Sequence, residues 1–297
     1  MRVIVHGGAG GVPDEPEPRQ AVLDEAAAAG AATTDPLDAV ESAVGVLEAS
    51  PRFNAGVGGA VQSDGVVRTD AGIMTSNREI GAACSMPDVE SAVSVARVVL
   101  TETPHVFVSG GHAVELAAEF GIDTGVDLLT DEKRKRYEAE DPPRGGPREH
   151  LDWLASRFGS GDDQAGGGEK DDAPDHDTVG AVASDGESFA AATSTGGRSF
   201  ALAGRVGDVP QVGSGFFCTE AGGASATGAG EDIARVTLSR RAVDLLADGY
   251  DADAAADRAI REFGDLTGSG AGVIVCGDDA LGSAFNTDGM QTSARVK

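Results

Sequence analysis

Residues 160–175 contain only Gly, Asp, Glu, Ser, Gln, Ala, Lys and Pro, and the apolar run Thr178-Val179-Gly180-Ala181-Val182-Ala183 follows almost at once. The first stretch has too little apolar surface to offset the entropy of ordering it, so it reads as a linker. The second reads as a buried strand. A chain with such a break is either two folded pieces or one fold with a cuttable joint, and the joint ends at His176-Asp177-Thr178. A threonine hydroxyl needs an adjacent base to act as a nucleophile, and a threonine at a chain start carries one in its own α-amine. That amine titrates at about 7.7–8.0, near the range where a general base works best. Cleavage before Thr178 would therefore create the nucleophile and its base together. The same residues also suit a plain strand start, with Asp177 in a turn and Thr178 as a β-former.

Apolar residues make up 40% of the 297-residue chain, enough for one large α/β unit or two smaller ones. Asp and Glu outnumber Lys and Arg by 49 to 23, and the formal net charge is -26. Such a surface repels nucleic acid and anionic membranes, and it destabilises itself unless salt screens it. The expectation is a halophilic protein of a high-salt cytoplasm, with no nucleic-acid or membrane partner. The opening apolar run, Met1 to His6, is too short for a signal sequence. Cys84, Cys218 and Cys276 are scattered without metal-ligand spacing and read as small buried hydrophobes.

Residues 2–6 read as a strand running into the glycine cluster 7–11, whose spacing does not give G-x-G-x-x-G. Helical patterns cover 19–32 and 35–49, the second with Asp35 as N-cap and Pro36 in the first turn. A broken loop, Arg52-Phe53-Asn54-Ala55-Gly56-Val57-Gly58, follows; loops of this kind face water or offer carbonyls to a cation. Further on come a hairpin strand at 66–74, a strand at 81–85, a helix at 87–100, a short buried strand at 106–108 and a helix entered at Gly110-Gly111, where His112 reads as structural. A solvated charge run at 132–138 and a helix at 147–158 complete the first part. Beyond the linker, strands at 178–183 and 189–193 flank an Asp-Gly turn, and 271–276 with 281–286 repeat the pattern. Helices at 231–248 and 253–263 lie between the hairpins. The order predicts an α+β fold, a four-layer αββα sandwich rather than a parallel doubly wound sheet.

Three more stretches follow Thr178 in close order: Thr193-Ser194-Thr195-Gly196-Gly197, Gly204-Arg205-Val206-Gly207-Asp208 and Thr227-Gly228-Ala229-Gly230-Glu231. With His6-Gly7-Gly8-Ala9-Gly10 and Phe53-Asn54-Ala55-Gly56, they make the chain resemble the plant-type L-asparaginase and isoaspartyl peptidase branch of the N-terminal-nucleophile hydrolases, a group that also holds glycosylasparaginase and taspase. The resemblance spans nearly the whole chain apart from the linker. It implies a precursor that cuts itself between Asp177 and Thr178 into an α chain (1–177, with the linker at about 159–177) and a β chain (178–297) that stay together as one structural domain. It also implies an (αβ)2 heterotetramer acting on a small molecule, L-asparagine or a β-aspartyl dipeptide.

By the same resemblance Thr178 is the nucleophile, Thr195 hydrogen-bonds it, Asn54 lies near it, and the Thr227 hydroxyl with the Gly228 amide forms the oxyanion hole. The chemistry of the residues agrees. Arg205 offers a planar fork for an α-carboxylate, and Asp208 can accept from an α-ammonium. The run 228–230 before a helix near Glu231 supplies N–H groups facing developing negative charge, and the Gly230 carbonyl is expected at the substrate amine. No cofactor is implied beyond a structural sodium held by the carbonyls of Leu47, Glu48, Ser50, Phe53, Ala55 and Val57. Asp177 departs from the glycine usual before the nucleophile in plant-type members and matches glycosylasparaginase and taspase. The alternatives are a glycosylasparaginase-like amidase and an uncleaved protein that binds a small amino acid.

Overall fold

The computed structural model describes residues 1–158 and 178–297, so the linker and Asp177 lie outside the described residues. Two sheets organise the chain. The larger contains β1 (Arg2–Gly10), β2 (Arg68–Thr75), β3 (Ile80–Pro87), β4 (Phe107–Ser109), β5 (Val179–Ser184), β6 (Phe189–Thr195) and β11 (Gly289–Val296), in the order β11-β1-β5-β6-β2-β3-β4. The smaller contains β7 (Phe216–Thr219), β8 (Gly222–Gly228), β9 (Ala271–Cys276) and β10 (Leu281–Phe285), in the order β10-β9-β8-β7. Neighbours are antiparallel except β3 and β4. The β5–β6 turn is closed as the Asp-Gly signal predicts, with the Asp185 carboxylate accepting from the amides of Glu187 and Ser188, each at 2.8 Å.

The expected helices form with adjusted ends, and the charge run at 132–138 also forms a helix. They are α1 (Pro16–Ala31), α2 (Pro36–Glu48), α3 (Ala92–Glu102), α4 (Gly110–Glu119), α5 (Asp131–Glu140), α6 (Pro147–Phe158), α7 (Gly230–Val236), α8 (Leu238–Ala247) and α9 (Ala252–Thr267). Asp35 caps α2, accepting from Leu37 N at 2.9 Å and Asp38 N at 3.2 Å. α5 buries none of its residues, as its charge run requires. α3 begins five residues later than the pattern at 87–100 suggests. Pro87 closes β3, and Ser85 and Asp88 take positive φ (54° and 58°), so the backbone there is turn rather than helix. The expected single helix at 231–248 is two, broken at Thr237 with φ 52°. The strand predicted as buried at 106–108 is an exposed sheet edge, with Val106 58% and Phe107 43% accessible.

α1, α2, α3 and α4 lie on the large sheet, and their buried side chains, Leu23, Val40, Leu47 and Val93 among them, form one core with Val5, Ala181 and Ala192. The second core joins the large sheet's Ile4, Val182 and Ala191 to the small sheet's Phe216, Ala224 and Val275, with α8 and α9 packed on the small sheet. β5 and β6 are therefore covered on both faces, and their alanine-rich sequence is what such close packing demands. All three cysteines are buried thiols. No described helix is long and apolar enough to cross a membrane.

Candidate active site

Thr178 stands at the head of β5, and antiparallel pairing of Val179 with Ser194 sets it opposite Thr195 at the end of β6. Their hydroxyl oxygens are 3.4 Å apart, with Thr178 as donor. Thr195 Oγ1 also accepts from Gly197 N at 3.1 Å and lies 3.4 Å from the Asn54 carbonyl. Asn54 ties the same corner together. Its Nδ2 donates to Gly197 O at 2.6 Å, its Oδ1 accepts from Ala60 N at 2.7 Å, and its carbonyl accepts from Gly196 N at 2.8 Å. Asn54 thus reaches Thr178 through Thr195 and the 196–197 backbone. Thr178, 8% exposed, opens on a cleft.

The same cleft is also lined by Arg205, Gly207, Asp208, Gly228, Gly230 and Glu231. Arg205 Nε and Nη2 contact Glu231 Oε1 at 2.9 and 2.8 Å, so one edge of the guanidinium is held by a carboxylate. Gln62 Nε2 fixes the Arg205 carbonyl at 3.1 Å. Asp208 is 5% exposed, and its Oδ2 has no hydrogen-bond partner among the described residues. Burial raises the Asp208 carboxyl to about 6, although Arg205 pulls it down. A Cβ on Gly230 would sit 2.6 Å from Asp208 Oδ1 and 3.0 Å from Arg205 Nη2, so only glycine leaves this corner open. Thr227, fully buried on β8, accepts from Ala9 N at 3.3 Å. Of the expected catalytic and substrate-binding residues, Thr178, Thr195, Arg205, Asp208, Gly228 and Gly230 line one cleft, and Asn54 touches Thr195 from behind.

Beneath Thr178 lies a polar chain. His6 Nε2 is 2.9 Å from Ser225 Oγ, which is 2.6 Å from Thr193 Oγ1, and Thr193 donates to Gly215 O at 2.8 Å. Since Thr193 spends its proton on Gly215, Ser225 donates to Thr193 and the His6 Nε2–H donates to Ser225. Burial holds the His6 ring neutral, its pKa lowered to about 3, with the Thr178 backbone acting weakly in the opposite direction. Across the sheet from Thr195, Asp70 on β2 accepts from Ser85 N at 2.7 Å, and burial lifts its pKa to about 7. Among the described residues, no cluster of three or more His, Cys, Asp and Glu side chains could hold a metal ion.

The whole chain, residues 1–297, matches the Asparaginase family. The chain belongs to the Asparaginase family. It is 38% identical to the plant-type L-asparaginase of Pyrococcus abyssi, over 98% of this chain and 94% of that protein. It is also 38% identical to the plant-type L-asparaginase of Pyrobaculum calidifontis, over 97% and 94%. With the isoaspartyl peptidase/L-asparaginase of Macaca fascicularis it shares 34% identity over 86% of this chain and 80% of that protein.

In this asparaginase-family chain two glycines of the loop after α2 run close to backbone carbonyls. Gly56 and Gly58 take φ of 50° and 92°; a Cβ on Gly56 would run into Glu48 O, and one on Gly58 would lie 2.8 Å from Pro51 O and 3.0 Å from Phe53 O. Of the carbonyls expected at a sodium, Glu48 O accepts from Val57 N, Leu47 O from Ser50 N and Ser50 O from Phe53 N, at 3.0, 3.2 and 3.4 Å. The Glu48 carboxyl, fully buried, accepts from Ser194 Oγ at 2.5 Å and Val93 N at 3.0 Å, which ties this loop to β6. His112, 89% exposed beside Glu115, takes no part in the site.

Sequence reasoning passed over Glu231, His6, Ser225 and Asp70. Glu231 ended a motif already assigned to helix start, and one strand of the His6–Ser225 pair, β8, was invisible because Gly-Gly-Ala-Ser-Ala-Thr-Gly has neither β-branched bulk nor alternation. A histidine inside a run as apolar as Val-Ile-Val was the one available signal.

Proposed function

We propose that this chain is a self-cleaving threonine amidohydrolase that converts L-asparagine to L-aspartate and ammonia, hydrolyses β-aspartyl dipeptides, or does both. The observation that carries the reading is the pairing, across one cleft, of the Thr178–Thr195 hydroxyls with Arg205 and the buried, unpartnered Asp208 Oδ2. A nucleophile faces a cation for an α-carboxylate and an anion for an α-ammonium, which is the charge pattern of an α-amino acid. The names carried by the relatives support the same substrates.

In this reading, cleavage between Asp177 and Thr178 frees the α-amine. Thr178 Oγ1 attacks the substrate's side-chain carbonyl carbon while its proton passes to that amine. The oxyanion accepts from the Thr227 hydroxyl and the Gly228 amide. The C–N bond breaks, the amine returns the proton to the leaving nitrogen, and ammonia or an amino acid departs. Water then attacks the aspartyl ester, giving its proton to the amine; the bond between Thr178 Oγ1 and the acyl carbon breaks, the amine returns the proton to Oγ1, and aspartate leaves. Thr195 holds the Thr178 hydroxyl, and Asn54 holds Thr195. The carbonyls of Leu47, Glu48, Ser50, Phe53, Ala55 and Val57 would hold a sodium ion, whose part is to stiffen the loop that bears Asn54.

The rest of the proposal is architectural. The two sheets and their helices are taken as the four-layer αββα sandwich of N-terminal-nucleophile hydrolases, the α chain (1–177) and β chain (178–297) as one domain after cleavage, and the assembly as (αβ)2 in a salt-rich cytoplasm. Denaturing electrophoresis with mass spectrometry tests the central step. Two fragments meeting at Asp177/Thr178, with Thr178→Ala remaining whole and releasing no ammonia from asparagine, are the expected result. One intact, inactive wild-type band that still binds an amino acid would overturn it in favour of a binding protein. Faster hydrolysis of a glycosylated asparagine than of asparagine would move the substrate to the glycosylasparaginase type.

A further inference from the structure

The cleft contains a second guanidinium that the reaction above does not use. Arg198 lines it together with Thr178 and Thr195. Its backbone is held firmly. Gly197 N is bonded to Thr195 Oγ1, Gly197 O to Asn54 Nδ2, and the Arg198 carbonyl accepts from Ala201 N at 3.1 Å in the turn that follows β6. Yet the half-buried Arg198 side chain makes no hydrogen bond or ion pair among the described residues; Glu231 feels it only at longer range. Arg2, Arg78, Arg144, Arg148 and Arg295 also lack a carboxylate partner among the described residues, but of this group only Arg198 lines the cleft. Arg52, Arg68, Arg97, Arg134, Arg241 and Arg258 all have carboxylate partners. Arg205, in the same cleft, is held by Glu231.

Charge matching gives the unpartnered cation a role. L-Asparagine brings one carboxylate and one ammonium, which Arg205 and Asp208 satisfy. A β-aspartyl dipeptide brings a second carboxylate, on the residue that leaves, and this group lies on the far side of the scissile bond from the aspartyl end. Arg198 follows the Thr195-Gly196-Gly197 corner beside the nucleophile, in the same cleft as the Arg205–Asp208 pair. We propose that Arg198 receives the carboxylate of the leaving amino acid, making this site selective for β-aspartyl dipeptides with a free C-terminus over their neutral-ended counterparts. The inference rests on the function proposed above. A planar guanidinium suits a terminal carboxylate in two-point contact, whereas the ammonia of asparagine or the neutral sugar of a glycosylated asparagine gives it nothing to bind. The selectivity then comes from the leaving side of the cleft, separately from the aspartyl side that all these substrates share.

Three probes separate the possibilities: β-aspartyl-alanine, the same dipeptide with its C-terminus amidated, and L-asparagine. Each is assayed with the matured wild type, Arg198→Gln and Arg198→Lys. A charge-assisted contact of this kind corresponds to about a tenfold to hundredfold effect. Wild type should favour the free dipeptide over its amide by that factor. Arg198→Gln should lose the preference, mainly through KM for the free dipeptide, while its kcat/KM for the amide and for asparagine stays within about twofold of wild type. Arg198→Lys should recover part of the preference. Equal treatment of acid and amide by wild type, or a uniform loss on all three probes in Arg198→Gln, would overturn the assignment while leaving the amidohydrolase reading intact. A cleaved wild type inert on all three would overturn both.

Discussion

Asp208 is the residue whose removal has the most sharply defined consequence. Its carboxyl is almost fully buried, its Oδ1 faces the Gly230 backbone, and its Oδ2 has no partner among the described residues. If that oxygen meets the substrate ammonium, Asp208→Asn keeps an acceptor of the same shape and removes only the charge. Bonds to charged groups stabilise by about 1.5–3 kcal/mol, against about 0.5–1.5 for neutral ones, so the loss should be about 1–2 kcal/mol, or roughly 5- to 30-fold in kcat/KM for asparagine. The pH dependence sharpens the test. With a pKa of about 6, Asp208 is almost wholly ionised at pH 7.5 and only about one-tenth ionised at pH 5. The ratio of wild type to Asp208→Asn should therefore be flat above about pH 7 and shrink towards one below about pH 5.5. Titration of the Thr178 amine affects both proteins and cancels in the ratio. Succinamic acid, which is asparagine without its amino group, supplies the second arm. On it the variant should be no slower than wild type, because no ammonium is there to lose its counter-charge. A ratio independent of pH, or an equal loss on asparagine and succinamic acid, would refute the ammonium role.

Other consequences can be checked alongside. Thr195→Ala should slow both chain cleavage and ammonia release, since it removes the Thr178 hydroxyl's partner at 3.4 Å; unchanged rates of both would discard that role. The exposed Thr237 makes no side-chain cap bond and sits at φ 52°, so Thr237→Gly should stabilise by about 1 kcal/mol and raise the melting temperature by a few degrees, while a lower melting temperature would count against left-handed strain. Asp70 has a folded pKa of about 7 against an ordinary 3.8, so the folded protein holds a proton that the unfolded chain releases; its stabilising share is complete below pH 3.8 and lost as pH rises through 7. Asp70→Asn should therefore gain on the order of 1–3 kcal/mol at pH 8 and much less at pH 4 in thermal melts at fixed high salt, and an equal gain at both pH values would contradict the buried-charge account. With a net charge of -26, the fold should lose circular-dichroism signal as salt is dialysed away, and full structure in dilute buffer would remove the case for halophily.

What could be read before any coordinates existed depended on how local the signal was. Asp35 and Pro36 announced α2 because capping is decided within one turn, and the Asp185-Gly186 turn announced the β5–β6 hairpin for the same reason. The motif residues were legible as a set, since Thr178, Thr195, Arg205 and Asp208 lie close in sequence and fold onto adjoining elements. β8, in contrast, is a run of small residues with no β pattern, and its strand character comes from being sandwiched between β7 and β9. Val106 and Phe107 look like core in a window of three residues; only the strand order shows that β4 has no neighbour on its outer side within the sheet.

The electrostatics of the cleft were illegible for a deeper reason. The sequence offers Arg205 and Asp208 as a cation and an anion but not what keeps them apart; in the structure Arg205 contacts Glu231, twenty-six residues along the chain, and an oxygen of Asp208 has no hydrogen-bond partner among the described residues. In the proposed reading, the result is a guanidinium aligned by one carboxylate and a second carboxylate available to a ligand's positive group. Had Arg205 and Asp208 neutralised each other, neither would be available to an amino acid without first breaking a buried pair, a loss of about 3–5 kcal/mol when one partner is withdrawn. Glu231 thus separates the two charges functionally, holding Arg205 so that Asp208 can wait for the ammonium. Glu231→Gln should therefore damage asparagine binding much as a change at Arg205 would, but with Asp208 titrating lower because a freed Arg205 turns towards it. The pH at which the wild-type to variant ratio changes would register that shift, and an unshifted profile with intact binding would show that Arg205 needs no such restraint.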